Sequence, residues 1–328
     1  MRLEWTQRED LPDAVGRKGM FGGVSGGYVL LAGGSNFPTA QRAGGKKTFH
    51  RDVFLRELPL ATERPWRVAE YRLPVTLGEG ATVTTKGGIA CLGGHDGNAP
   101  VATAFLLSVE RGEVRRQELP ELPQAVTNGT ATALGGMVYV AGGEGNAGAL
   151  GTFWRLDLDK AGARWEKLPA WPGKPRFGCI LNVVTLTDGP RIVLAGGLPG
   201  PAKSMADYLR DVVVFDPKAG TWTAGATMPR GAVLGSSVAL GGGRLLVLGG
   251  SDGHDFERMK ELGERYRIPS DLMVYDVAAA RWSPAGTMPL GVVGATVVDL
   301  GGSWLVAGGE YTPGVRTPRV DELKAVTR

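Results

Sequence analysis

The sequence predicts an all-β fold, a six-bladed β-propeller, on three observations. Six Gly-Gly pairs each end an apolar run, and successive pairs are 60, 49, 54, 53 and 59 residues apart. A glycine-rich turn precedes each apolar run, and a tryptophan follows in most of the repeats. Six similar units that cover nearly the whole chain indicate one repeat architecture in a single domain. The pairs are Gly33-Gly34, Gly93-Gly94, Gly142-Gly143, Gly196-Gly197, Gly249-Gly250 and Gly308-Gly309.

Each repeat has the pattern of a four-stranded antiparallel blade. A strand of small residues leads through a tight glycine turn into the apolar strand that ends in Gly-Gly. After a variable loop comes a third strand, such as 211–216, and then a fourth strand marked by tryptophan, such as Trp222. Repeats of about 50 residues with this Gly-Gly ending are typical of kelch propellers.

The repeats define the blades of the predicted domain, residues 1–328. The sixth repeat has no tryptophan strand of its own, whereas Trp5 near the N-terminus is followed by Leu-Pro, as in the other repeats. We expect residues 3–8 to complete the last blade, which closes the ring and removes a free sheet edge. The predicted blades are about 17–72, 79–119, 126–169, 175–225, 231–285, and 291–326 with 3–8.

Composition excludes several classes of function. The net charge of +4 is small and scattered, so nucleic-acid binding is not expected, and no segment is apolar enough to span a membrane. The three histidines lack spaced partners, so neither a metal site nor a cofactor is expected. Cys91 and Cys179 lie in apolar strands, which favours buried free thiols.

The first residues indicate where the protein resides. Residues 1–12 lack the apolar core of a signal peptide, so the sequence as written predicts a cytoplasmic protein. A periplasmic or exported protein whose leader has been removed is the alternative. No feature of the sequence predicts an oligomeric state.

Long loops after the Gly-Gly pairs locate the functional face. Residues 35–51, 251–270 and 198–210 are the longest of these loops, and binding sites usually lie on long loops of a rigid scaffold. Residues 255–266 have the composition of a short helix. At the blade starts, four basic residues are candidates for an anion cradle: Arg17, Lys18, Arg176 and Arg230.

Two segments resemble those of a known family. GGSNFPTAQRAGGKKTFHRDVFL (33–55) and GGEYTPGVRTPRVDEL (308–323) are similar to loops of the N-acetylneuraminate epimerases, the sialic acid mutarotases. The second segment matches that family's G-E-x-x-P-G-x-R-T motif. The blade carrying Asn-Phe-Pro comes first here, so the chain looks like a cyclically permuted member.

The resemblance implies a cofactor-independent isomerase that acts on a small sugar acid, sialic acid. Its catalytic pair falls on Glu310 and Arg316, with Glu310 as the acid/base and Arg316 holding the substrate carboxylate. The chemistry fits these residue types, because a carboxyl group can move a proton between oxygens and a guanidinium binds carboxylates in two-point contacts. Four further residues are predicted to bind the substrate: Asn36, Lys46, Lys47 and Arg176.

Two alternatives have different functions on the same fold. Kelch propellers commonly bind protein partners without catalysis, and fold alone does not determine function. A carbohydrate-binding propeller without turnover is the other alternative.

Overall fold

Six four-stranded antiparallel sheets form the blades of a β-propeller in the computed structural model, which describes residues 2–326. The predicted all-β, six-bladed fold is therefore confirmed. The chain divides into two compact units of three blades each: the residues up to Thr127 together with those from Gly294 on, and Asn128–Val293. Their union into a single domain stays a prediction.

The strands are short and follow the repeats. The first strands are β1 (Arg2–Gln7), β2 (Phe21–Ser25), β3 (Tyr28–Ala32), β4 (Ser35–Asn36), β5 (Thr48–Phe49), β6 (Val53–Glu57), β7 (Arg67–Val68), β8 (Ala81–Thr85), β9 (Gly88–Leu92), β10 (Ala104–Glu110) and β11 (Glu113–Glu118). The second unit contains β12 (Thr130–Leu134), β13 (Met137–Ala141), β14 (Glu144–Gly145), β15 (Gly148–Ala149), β16 (Phe153–Asp157), β17 (Glu166–Lys167), β18 (Ile180–Leu186), β19 (Gly189–Gly197), β20 (Leu209–Asp216), β21 (Thr221–Ala224), β22 (Ser236–Gly241), β23 (Arg244–Leu248), β24 (Asp271–Asp276) and β25 (Arg281–Thr287). The last strands are β26 (Thr296–Asp299), β27 (Trp304–Ala307), β28 (Glu310–Thr312), β29 (Val315–Arg316) and β30 (Val320–Val326).

The blades are numbered 1 to 6 from the one that contains β2. In the first unit, blade 1 has the strand order β2-β3-β6-β7, blade 2 has β8-β9-β10-β11 and blade 6 has β26-β27-β30-β1. In the second unit, blade 3 is β12-β13-β16-β17, blade 4 is β18-β19-β20-β21 and blade 5 is β22-β23-β24-β25. Three two-stranded ribbons stand apart from the blade sheets, namely β4-β5, β14-β15 and β28-β29.

Glycine allows the first strand of blade 1 to pack closely between its neighbours. A Cβ atom on Gly22 would lie 2.5 Å from the Thr296 side chain of blade 6, and one on Gly23 would lie 2.4 Å from Thr84 of blade 2. Real Cβ atoms do not approach other atoms so closely, so only glycine fits there. The small residues at the blade starts therefore serve to bring neighbouring blades together.

The N-terminal strand completes the last blade, as the sequence predicts. β1 pairs antiparallel with β30 along its whole length, from Arg2 opposite Val326 to Gln7 opposite Asp321. β30 thereby has a partner on both sides, β1 and β27. β1 thereby covers the edge that β30 would otherwise expose and becomes the outer strand of blade 6.

Tryptophans of the outer strands fasten blade 4 to blade 3 and blade 5 to blade 4. Trp222 of blade 4 donates its indole N–H to Pro169 O at the end of blade 3, at 2.8 Å. Trp282 of blade 5 donates in the same way to Ala226 O after blade 4, also at 2.8 Å. The tryptophan signature of the repeat thus has a direct role in holding consecutive blades together.

The cores lie between facing blades within each unit. In the first unit, aromatic and aliphatic side chains of blades 1 and 2 pack together, including Phe21, Leu30 and Phe105. In the second unit, Phe153, Phe215 and Trp222 form an aromatic group whose ring centroids lie 4.9–5.1 Å apart.

The loop after β23 contains the expected short helix. It consists of a 3-10 turn (Phe256–Arg258), α1 (Met259–Leu262) and a second 3-10 turn (Gly263–Arg265). Among residues 2–326, no helix has the length and apolar character needed to cross a bilayer.

Deleting residues 2–7 tests the closure of blade 6. We expect the midpoint of thermal unfolding to fall by more than about 5 °C, because β30 loses a partner strand and Trp5 its packing. Circular dichroism melting curves measure the change, with Glu4→Gln as a control at an exposed position of the same strand. An unchanged midpoint in the deletion variant would show that blade 6 is stable without β1.

Candidate active site

A hairpin after the last Gly-Gly pair brings Glu310 and Arg316 together. β28 and β29 pair antiparallel, with Glu310 directly opposite Arg316. The chain reverses at Pro313 and Gly314, where Gly314 has a left-handed φ of +77°. Residues opposite each other in a two-stranded ribbon point to the same face, and here their side chains form an ion pair between Arg316 Nη1 and Glu310 Oε2.

The two partners of this pair differ in their exposure. The Arg316 side chain is 1% exposed, whereas that of Glu310 is 18% exposed and reaches solvent. Arg316 lies over the ring of Phe37, with Cζ 5.0 Å from the centroid, and its Nε donates a long hydrogen bond to Ser35 O at 3.4 Å. Burial lowers the pKa of Arg316 to about 10, although the negative charge of Glu79 opposes this shift. Arg316 is therefore a fixed cation at the floor of the site, and Glu310 is its accessible partner.

The two segments that resemble the epimerase loops contact each other. Phe37, which lies under Arg316, belongs to the loop between β4 and β5. In the same loop, Gln41 packs against Gly314, where an added Cβ would lie 2.5 Å from Gln41 Oε1. The loops of blades 1 and 6 thus form one site within the first unit.

A second carboxylate, Glu79, lies at the floor of this site. It is 6% exposed, and its Oε1 accepts hydrogen bonds from Ser35 Oγ at 2.9 Å and from Lys47 Nζ at 3.1 Å. Burial raises the pKa of Glu79, but the charges of Lys18 and Lys47 and these two hydrogen bonds outweigh it and lower the pKa to about 2. Glu79 is therefore an anion at neutral pH, and it holds Lys47 by hydrogen bonds.

Lys18 is the third cation of the site. It precedes β2, and its backbone pairs with Ser35 through two hydrogen bonds of 2.9 Å. Its aliphatic chain packs over Gly294, where an added Cβ would lie 2.6 Å from Lys18 Cγ. Loss of hydration lowers the pKa of Lys18 to about 8, with Glu79 opposing and Arg316 and Lys47 adding to the shift.

Glu79 is held in a backbone conformation that disfavours it. In every blade the residue two positions before the first strand has positive φ, and four of the six are glycine or asparagine. These residues are Gly19 (+64°), Glu79 (+59°), Asn128 (+49°), Gly178 (+60°), Leu234 (+56°) and Gly294 (+63°). Left-handed backbone costs a residue with a Cβ about 1–2 kcal/mol, and such strain concentrates at functional sites. Of these six residues, Glu79 is the one with a charged side chain.

Backbone hydrogen bonds link these left-handed residues from blade to blade. In the first unit, Glu79 N donates to Gly19 O at 2.7 Å, and Gly19 N donates to Gly294 O at 2.9 Å. In the second unit, Leu234 N donates to Gly178 O at 2.8 Å, and Gly178 N donates to Asn128 O at 2.9 Å. Glu79 is thus anchored in the backbone framework of the propeller.

The residues predicted to bind substrate lie in different surroundings. Lys47 lies in the site, bound to Glu79 and 37% exposed. Lys46 is exposed on the same loop. Asn36 is 2% exposed, and its amide connects Asp13, Gly16 O and His50, so both ends of the amide are occupied within blade 1. The substrate-binding roles of these residues stay predictions.

Arg176 belongs to the second unit, and its guanidinium has several partners there. It makes two hydrogen bonds to Asp211, at 2.8 and 2.7 Å, and a third to Gly196 O at 3.0 Å. The arrangement recurs in blade 1, where Arg17 binds Asp52 and Gly33 O, and in blade 5, where Arg230 binds Asp271 and Gly249 O. Each of these arginines joins a Gly-Gly pair to the third strand of its blade. Of the four basic residues in the expected anion cradle, three therefore have this structural arrangement and only Lys18 lies in the site.

Sequence reasoning missed Glu79 as a site residue. Its contacts with Ser35 and Lys47 join positions 44 and 32 residues apart, which no local motif reveals. A signal was nevertheless present, because aligning the six repeats places Glu79 where most blades have glycine or asparagine. Among residues 2–326, no group of three His, Cys, Asp or Glu side chains could hold a metal ion.

The fold and the site together define a six-bladed propeller with a charged, solvent-accessible site on one set of loops. A sequence model of the N-acetylneuraminate epimerase family matches residues 119–261, a range that ends before Glu310. The chain is 30% identical to the N-acetylneuraminate epimerase of Yersinia enterocolitica, over 62% of this chain and 57% of the relative. The corresponding proteins of Yersinia pestis and Haemophilus influenzae are each 29% identical, over 67% and 63% of this chain and 60% of each relative.

These comparisons confirm the resemblance to the N-acetylneuraminate epimerase family. The chain spans 57–60% of the length of these three curated relatives. The cyclic permutation of the blades stays a prediction.

Replacing Arg176 by methionine tests its structural arrangement. We expect the free energy of unfolding to fall by about 2–3 kcal/mol, less than the 3–5 kcal/mol typical of a fully buried pair, because the half-exposed Asp211 can rehydrate. Urea denaturation followed by fluorescence measures the change, with Lys160→Met as a control at an exposed position of the same unit. Wild-type stability combined with weaker sugar binding would instead assign Arg176 to the substrate.

Proposed function

We propose that this chain is a cofactor-independent epimerase that interconverts the α and β anomers of N-acetylneuraminate. The observation that carries the proposal is the Glu310–Arg316 pair, in which a buried cation holds a partly exposed carboxylate. The substrate is inferred from the similar proteins, which are named N-acetylneuraminate epimerases. The motif residues that the resemblance assigns to catalysis are the ones that meet in this pair.

Glu310 is suited to move the proton that anomer exchange requires. Opening the hemiketal ring removes a proton from the anomeric hydroxyl, breaks the bond from the anomeric carbon to the ring oxygen and protonates that oxygen. The Glu310 carboxylate accepts the first proton and returns it to the ring oxygen, so no proton is gained or lost. The resulting ketone then rotates and recloses on its other face by the reverse transfers.

Arg316 has two functions in this mechanism. Its guanidinium orients the Glu310 carboxylate through their ion pair, so that the carboxylate is held in place to act as a base. Its guanidinium also attracts the carboxylate of the sugar acid, which enters from the solvent side where Glu310 and Lys47 are accessible. Phe37 beneath the guanidinium limits its movement.

Proton NMR of freshly released α-N-acetylneuraminate tests the activity. We expect catalytic amounts of the protein to accelerate the approach to anomeric equilibrium above the spontaneous rate. A thermal shift with the sugar but a rate at the spontaneous value would identify a carbohydrate-binding propeller without turnover. The absence of both the thermal shift and the acceleration would favour a propeller that binds other partners.

Glu310→Gln is expected to lower kcat by about 10²- to 10⁴-fold, the usual contribution of a general acid/base. Gln retains the shape and a hydrogen-bonding oxygen but cannot exchange the proton. Glu144→Gln is the matched control, because Glu144 also follows a Gly-Gly pair directly, in blade 3. Full activity of Glu310→Gln with an unchanged melting temperature would exclude Glu310 as the acid/base.

A further inference from the structure

The site has more positively charged than negatively charged side chains, and the excess positive charge is that of Lys18. Three cations, Lys18, Lys47 and Arg316, are grouped with two carboxylates, Glu79 and Glu310. Lys47 is bound to Glu79, and Arg316 is paired with Glu310. Within residues 2–326, neither a hydrogen bond nor an ion pair involves Lys18 Nζ, so one positive charge is left without a partner.

The surroundings of Lys18 favour an anionic ligand over a structural partner. Glu79 is near enough to raise the pKa of Lys18, but its Oε1 already accepts hydrogen bonds from Ser35 and Lys47. Arg316 and Lys47 repel the Lys18 ammonium. The segment of blade 6 packed against Lys18 presents Gly294, which has no charge. An incoming monoanion would relieve this repulsion and complete the pairing of charges.

We propose that Lys18 is a substrate-binding residue whose ammonium group receives the carboxylate of the sugar acid, sharing it with Arg316. The assignment deepens the proposed function and names the class of ligand, a monocarboxylate. Glu79 acts as a positioning residue, because its buried anion fixes Lys47 and leaves Lys18 available.

A lysine with a lowered pKa gives binding a characteristic pH dependence. Below a pH of about 8, Lys18 is protonated and attracts the carboxylate, whereas above it the charge and the attraction are lost. The affinity for N-acetylneuraminate should therefore fall as pH rises from 7 to 9.5. The bound anion stabilises the ammonium form, so the pKa of Lys18 is higher in the complex than in the free protein.

The test uses two substitutions at Lys18 and two ligands. Lys18→Met keeps the aliphatic packing on Gly294 but removes the charge, so Kd and KM for N-acetylneuraminate should rise about 10- to 100-fold with a smaller change in kcat. Lys18→Arg should retain affinity and remove the alkaline loss, because arginine stays protonated. Glu79→Gln should move the alkaline loss to lower pH, because it removes the charge that holds a proton on Lys18.

The methyl ester of N-acetylneuraminate separates a binding role from a structural one. Calorimetry should show weak binding of the uncharged ester, with equal affinity in wild type and Lys18→Met. Lys86→Met, at an exposed turn between β8 and β9, is the matched control for loss of a lysine charge. Equal weakening of acid and ester in Lys18→Met, or an unchanged affinity for the acid, would overturn the proposal.

The same experiment distinguishes this inference from the proposed reaction. Carboxylate-dependent binding through Lys18 without acceleration of anomer exchange would sustain the role of Lys18 and refute the epimerase activity. Acceleration that does not change in Lys18→Met at any substrate concentration or pH would sustain the activity and refute the role of Lys18.

Discussion

Close approach of backbone to backbone at the blade starts is the constraint on which the rest of this structure depends. Left-handed residues there donate their N–H groups to the equivalent carbonyl of the neighbouring blade, and glycines in β2 admit side chains from both sides. Buried backbone groups must find partners, and this arrangement satisfies them without any side chain. Glycines at these positions are the result, and few side chains lie among these contacts.

The same constraint explains why the site can hold several buried charges. Charges withdrawn from water are tolerated when they are paired and their partners cannot move away. The hairpin register fixes Glu310 opposite Arg316, and the anchored backbone of Glu79 fixes its carboxylate below Lys47. The arginines that join the Gly-Gly pairs to the third strands use the same kind of arginine–carboxylate contact for a different purpose. Identical chemistry therefore supports the scaffold in one place and forms a site in another.

Much of the fold follows from the sequence, because its signals are local and repeated. Apolar strands ending in Gly-Gly predict the blades, and Trp5 predicts the completion of the last one. The proximity of Glu310 and Arg316 is also local, since Pro313 and Gly314 between them favour a tight reversal. In contrast, the sequence around Arg176 does not reveal whether its guanidinium binds Asp211 or a substrate. The contacts of Glu79 depend on how three separate loops pack, which a single sequence does not encode in any short pattern.

The pairing of β1 with β30 has a consequence for the order in which the blades are connected. The two strands are antiparallel neighbours, so the beginning and the end of the described chain lie one strand spacing apart, with Arg2 opposite Val326. A short linker could join them, and the chain could be opened at another loop without breaking any sheet. Circular rearrangement of the gene would then preserve every blade and the charged site alike. The pairing of β1 with β30 is therefore compatible with circularly permuted chains that begin in a different blade.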